Sequence, residues 1–145
     1  MNTKNFFLGG IVGGVVYFLL GWLFYGTLLT TFFHEHPGTA TNVEKPMDQM
    51  VWWALILGNL LTGFLLAYIF SKSGVSTLAS GLVTGAVVGL LMCTSIDLIM
   101  YATTNISSKK AMAADVATFT VMSAIAGAVV GAVMGMGKPK AVAVM

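Results

Sequence analysis

The chain of 145 residues is 57% hydrophobic and 8% charged, whereas about a quarter of an ordinary soluble domain is charged. Seven lysines, five acids and no arginine leave a net charge of +2, too little for a nucleic-acid footprint. One cysteine excludes an intramolecular disulfide framework and any cysteine-rich zinc site.

What remains is an integral membrane protein, read as a single all-α domain over residues 1–145. About 20 consecutive apolar residues cross a bilayer, and four such stretches lie at about 6–26, 50–70, 77–101 and 114–136. Hydrocarbon cannot satisfy backbone polar groups, so each must be a helix, and together they predict an antiparallel four-helix bundle. The first runs from Phe6 to Tyr25, with Leu28–Phe33 as an apolar continuation. It reads as a retained anchor helix: it is too long for a signal peptide, and Gly21-Trp22-Leu23-Phe24-Tyr25 stands where a small-residue cleavage site would be. Residues 34–49 form the one sizeable hydrophilic segment, with a turn at Pro37-Gly38 and a helix start at Pro46 to Asp48. A tight turn at Ser71–Ser76 joins the second and third spans. Four spans put both termini on one side, with Lys4, Lys72, Lys138 and Lys140 facing that side against Lys45, Lys109 and Lys110 opposite. The positive-inside rule makes the terminal side cytoplasmic and 34–49 an outer loop.

Leucine burial does not drive helices together in lipid; close approach through small residues does. The first span has Gly9 with Gly13 and Gly10 with Gly14, the third has Gly81, Gly85 and Gly89, and the fourth has Gly127, Gly131 and Gly135. Each set repeats every four residues and so keeps to one helical face, a glycine-zipper pattern. Equal depth in antiparallel spans would set Gly81 level with Gly135, Gly85 with Gly131, and Gly89 with Gly127. The expectation is direct contact between the third and fourth spans, with a stripe facing a second copy of the chain as the alternative. These glycines fall in the inner half, so the bundle is expected to narrow toward the cytoplasm.

The outer half carries Tyr17, Trp22, Tyr25, Trp52, Trp53, Tyr101, Asn59 and Asp97. An interfacial aromatic belt accounts for several of these; an outward-opening cleft between helices is the other reading. Asp97 is the single ionisable side chain inside an otherwise apolar stretch, one turn before Tyr101, and a carboxylate at the centre of a membrane helix costs about 2.5–3.5 kcal/mol on insertion scales. Two roles stay open for it: hydrogen-bonded packing with Thr94, Thr118 or Thr120, or an ion, proton or ligand site with Asn59 and Tyr101. Asp115, near the start of the fourth helix, suits the helix dipole, and Cys93 suits a small packing position. His34-Glu35-His36 has metal-ligand chemistry, but completing a site would take Glu44 or Asp48, and an exposed polar loop is the expectation. The spans contain no histidine for haem, and no glycine-rich loop ends in Lys-Ser or Lys-Thr for nucleotide. Neither cofactor nor catalytic centre is expected. Asn105-Ile106-Ser107 matches the glycosylation triplet.

The first span and its exit, Gly13-Gly14-Val15-Val16-Tyr17-Phe18-Leu19-Leu20-Gly21-Trp22-Leu23-Phe24-Tyr25-Gly26, resemble the opening of a bacterial family of small four-helix membrane proteins, catalogued as domain of unknown function 1761. The aromatic-Tyr-Gly element ending the first helix carries the likeness, together with the four-span plan. The resemblance implies a fold and a bacterial inner-membrane location, and no assigned activity. Three functions follow as expectations: a non-catalytic component packing through its glycine faces into a homo-oligomer or larger membrane complex, a small transporter or channel using Asp97, and an outward-facing ligand-binding protein.

Overall fold

The computed structural model describes residues 2–137; the expected tail with Lys138, Pro139 and Lys140 lies outside the described residues. Capping explains most helix boundaries. The Asn2 side chain accepts the backbone N–H groups of Lys4 and Asn5 and opens α1 (Thr3–Leu23). Past Leu23 the backbone widens into a π-helical turn, Phe24–Leu28, followed by the short α2 (Thr30–Glu35). A 3₁₀ turn at Met47–Gln49 precedes α3 (Trp52–Ser73), so the helix start expected at Pro46 is a separate single turn. Gly74, at φ 74°, ends α3 in the left-handed region that glycine adopts without penalty. Thr77 and Ser80 then form a reciprocal capping box that opens α4 (Leu78–Thr103). Ser108 caps α5 (Lys109–Met134) through Ala111 N–H, and its hydroxyl donates to the His36 carbonyl at 2.7 Å.

Four helical stretches are long and apolar enough to cross a membrane: Thr3–Leu28, Trp52–Ser73, Leu78–Thr103 and Lys109–Met134. They pack as an all-α bundle, and the chain is an integral membrane protein. Among the described residues there is no β-strand, only a single antiparallel bridge between Pro37 and Ser107.

Helix α5 is the centre of the bundle. It packs against α1, α3 and α4, α1 packs against α3, and α3 and α4 make no substantial contact with each other. One face of α5 places Met122, Ala126, Val130 and Met134 against Tyr17 of α1 and Leu66, Ala67 and Phe70 of α3, which is the buried core. The adjacent face meets α4 backbone to backbone. A Cβ at Gly85 would lie 2.9 Å from Gly127 Cα, and one at Gly131 would lie 2.9 Å from Gly81 Cα. Gly89 faces the Ser123 side chain, and Gly135 faces the Ser76 carbonyl.

The third and fourth spans therefore meet through their glycines, but not in the expected register. Gly85 opposes Gly127 rather than Gly131, and Gly81 opposes Gly131 rather than Gly135, a slip of one helical turn. The level pairing assumed a fourth span beginning near Ala114; cap formation at Ser108 starts α5 at Lys109 and moves its small residues relative to α4.

The α1–α3 contact is just as close and uses a glycine that the four-residue repeats do not include. A Cβ on Gly63 would strike Gly14 N and the Gly10 carbonyl, and one on Gly13 would lie 3.2 Å from Gly63 Cα. Gly9 faces α5, with Val130 Cγ1 3.5 Å from its Cβ position. At the end of the bundle where α1 begins, called the inner end, the buried Asn5 amide donates to the Met136 carbonyl at 2.9 Å, tying the start of α1 to the end of α5.

Candidate functional site

The observed register continues outward and sets the site. Along α4, Gly81, Gly85, Gly89, Cys93 and Asp97 follow one another at four-residue steps; along α5, running the other way, the series is Gly131, Gly127, Ser123, Phe119 and Asp115. Where the first two pairs bring backbone against backbone and the third seats the Ser123 side chain on Gly89, the last brings two carboxyl groups together. Single metal-ligating atoms of Cys93, Asp97 and Asp115 all lie within 4.8 Å of one another. The Cys93 thiol donates to Asp115 Oδ2 at 3.4 Å, with Asp97 Oδ2 at 3.8 Å. From the π-helical turn that follows α1, the Tyr25 hydroxyl donates to Asp115 Oδ1 at 2.5 Å.

Two residue-level expectations are corrected here. Asp97 does not take Thr94, Thr118 or Thr120 as its partner; its polar neighbours are Cys93 and Asp115, and the Thr120 hydroxyl is spent on the Val116 carbonyl of its own helix. Asp115 is not in the first turn of α5, which carries no acid. It lies nearly two turns in, beyond the range over which a helix dipole acts, and its role is to accept the Tyr25 hydroxyl. Cys93 is buried, as a packing residue would be, but it is also one of the three potential ligands of this cluster.

The π-helical turn accounts for Tyr25 being there. Each π turn holds more backbone than an α turn and re-aims the side chains around it. Thr30 Oγ1 caps the Tyr25 carbonyl at 2.9 Å and Thr27 Oγ1 reaches the Trp22 carbonyl at 3.4 Å, both spanning five residues. The Phe24-Tyr25-Gly26 element is thus a local distortion just past the end of α1, placed beside Asp115.

On the other side of Tyr25 lies a cavity of about 470 Å³ between α1, α3 and α5. Tyr17, Phe18, Trp22, Tyr25 and Phe119 supply aromatic wall, Trp52 and Met50 lie toward the outer loop, and Asn59 and Thr62 are its polar groups on α3. At its inner end Tyr17 stacks on Phe119, ring centroids 5.8 Å apart, and donates its hydroxyl to Ser123 Oγ at 2.9 Å. Tyr25 belongs to both features: its ring lines the cavity and its oxygen holds Asp115.

Asp97, Asn59 and Tyr101 are not brought together. Asn59 lines the cavity and donates to the Leu55 carbonyl of its own helix at 2.8 Å. Asp97 lies across the bundle on α4. Tyr101 is exposed, with Lys109 Nζ 5.9 Å from its ring centroid. Of the other outer aromatic residues, Tyr17, Trp22, Tyr25 and Trp52 line the cavity, while Trp53 points away and is 70% exposed.

The outer loop forms a second hollow of about 520 Å³, lined by His34, His36, Glu44 and Ile106 among others. Gly38 N–H donates to the Ile106 carbonyl at 3.2 Å and Ala40 N–H to the Asn105 carbonyl at 3.0 Å; a Cβ at Gly38 would collide with both residues. The two histidines behave differently. His36 stacks on Phe32 at 4.4 Å with Nδ1 3.0 Å from the Phe32 carbonyl, whereas exposed His34 has Nε2 3.8 Å from Glu44 Oε2. Within the described residues the donor set that suits a cation is Cys93, Asp97 and Asp115, not the histidine loop. Comparisons with known protein families, with curated proteins and with solved structures give no match for this chain.

Proposed function

We propose that the chain is a non-catalytic ligand-binding membrane protein that takes a small, partly apolar molecule into the cavity between α1, α3 and α5. The observation that carries this reading is the cavity itself: about 470 Å³, within the roughly 300–1,000 Å³ of small-molecule pockets and similarly rich in aromatic walls with few polar groups. The outer end, beside Met47 and Met50, is the mouth. With the termini cytoplasmic, that mouth faces away from the cytoplasm, and the bacterial inner membrane is the location we infer from the family resemblance. Transport would require passage onward past Tyr25 to the acid pair.

Gly21 provides the test. It lines the cavity, and a Cβ there meets nothing closer than Met122 Cε at 3.8 Å, so Gly21→Leu fills the space without disturbing a helix contact. Tryptophan fluorescence of the purified protein, reporting from Trp22 and Trp52, should respond saturably to benzyl alcohol in the parent chain and at least tenfold more weakly in Gly21→Leu. Equal responses would remove the cavity from consideration.

A second reading, a component of a homo-oligomer or larger membrane complex, is favoured by the lack of substantial α3–α4 packing, which leaves two edge helices. The glycine faces are occupied within the chain, so a partner would dock on the edges. The particle mass in lipid nanodiscs decides it: one copy with nothing co-purifying counts against assembly.

A further inference from the structure

We infer that the molecule taken up by the cavity is a small organic cation with apolar substituents, such as an aryl-substituted quaternary ammonium; this rests on the ligand-binding reading above. Three observations carry it. The cavity wall contains no lysine, arginine or histidine, and its bulk is aromatic; ring faces attract cations, with tryptophan and tyrosine the best. An acid is bonded to the wall itself: Asp115 accepts the hydroxyl of the wall residue Tyr25, with Asp97 beyond it. A phenol whose proton is drawn toward a carboxylate has a more electron-rich ring, so the acid acts on the cavity through Tyr25.

The third observation is that this acid pair has no basic partner. Among the described residues the one ion pair within 4.0 Å is His34 with Glu44, in the outer loop. Lys109, the basic residue closest in sequence to Asp115 apart from Lys110, turns its ammonium to the Tyr101 ring at 5.9 Å. Lys45, Glu44 and Asp48 are the charged groups of the loop near the mouth; all are exposed, where water and salt screen them. An acid pair with no basic side chain beside it favours positive charge at the adjoining wall, and a positively charged ligand in the cavity supplies it without entering the Cys93 cluster.

The test uses three probes of similar size: phenyltrimethylammonium, benzenesulfonate and benzyl alcohol, titrated at constant ionic strength into the purified protein and followed by tryptophan fluorescence. The expected order is the cation at least tenfold tighter than the neutral probe, with the anion weakest. Asp115→Asn should lower the ratio of cation to benzyl alcohol affinity at least tenfold, and an unchanged ratio would overturn the inference. Neutral and cationic probes binding equally to the parent chain would overturn the charge inference and leave the cavity reading standing. Failure of all three would overturn both. A cation preference that persists in Gly21→Leu, where the cavity is filled, would place the cation directly among Cys93, Asp97 and Asp115 and also overturn the inference.

Discussion

The inner and outer halves of the α4–α5 contact are built from one repeat and behave oppositely. In the inner half, positions four residues apart are glycines, and the backbones approach until Gly85 and Gly127 leave no space for a methyl group. In the outer half the same two rows present Cys93 and Asp97 to Asp115, and the interface becomes polar. Apolar surface gives membrane helices no reason to prefer one another over lipid, so the inner half must supply the attraction by contact. The outer half holds two carboxyl groups close together, and it can do so because the inner half fixes the register.

The most damaging way to break this arrangement is to force the inner half apart. Gly85→Leu places a side chain against the Ser123 carbonyl and Gly127 Cα, backbone atoms that cannot rotate aside, and should cost about 3 kcal/mol, the upper end for overpacking. Gly58→Leu, where nothing lies within 4 Å of a Cβ, should stay within about 0.5 kcal/mol of the parent. Thermal unfolding in mild detergent measures both. If the two variants melt together, the glycine contact is not what holds α4 to α5.

How much of this can be read in the sequence follows from the same rows. The four spans and the four-residue glycine spacing are visible because length, apolarity and periodicity are local properties. The register is not local: Gly85 opposite Gly131 and Gly85 opposite Gly127 bury equally small residues, so glycine spacing alone does not choose between them. What chooses is the start of α5 at its Ser108 cap and the fit of Ser123, whose side chain meets Gly89 while its hydroxyl accepts from Tyr17. One turn of slip moves Asp97 from a position opposite Phe119 to one opposite Asp115, which is why the acid pair is hidden in the sequence although both members are plain. Extending the glycine rows outward by fours reaches Cys93, Asp97, Phe119 and Asp115, a signal that was there to be used. Tyr25 gave no such signal, because a π-helical turn shifts its facing, nor did Gly63, which is not part of any four-residue glycine repeat.

The outer half can be probed with two substitutions expected to act in opposite directions. Asp115→Ala leaves the Tyr25 hydroxyl without its acceptor and the Cys93 thiol with Asp97 alone, and loss of a partner to a part-buried donor costs about 1–3 kcal/mol. Asp97→Asn removes one of two close charges and keeps the shape. An amide at 97 can donate to Asp115 and removes the repulsion, on the order of a few kcal/mol at an effective dielectric near 20, that two ionised carboxylates at this separation would have, so that variant should be as stable as the parent or more so. Equal destabilisation by both would show that Asp97 is bonded glue rather than a like-charged neighbour, and the contrast between the two halves would narrow to size alone.

The smallest effect expected is at the other polar residue the sequence offers. Asn59 differs from Asp97 in what it touches: its amide donates only to Leu55 of the same helix, a bond that the helix does not need, because the Leu55 carbonyl already has a place in the α3 backbone ladder. Asn59→Leu should therefore shift stability by no more than about 0.5 kcal/mol, while changing the response of Trp52 fluorescence to benzyl alcohol, since both residues line the cavity. A stability loss near that of Asp115→Ala would mean that Asn59 bonds across the bundle, and the polar chemistry of the outer half would then extend to α3 instead of ending at Tyr25.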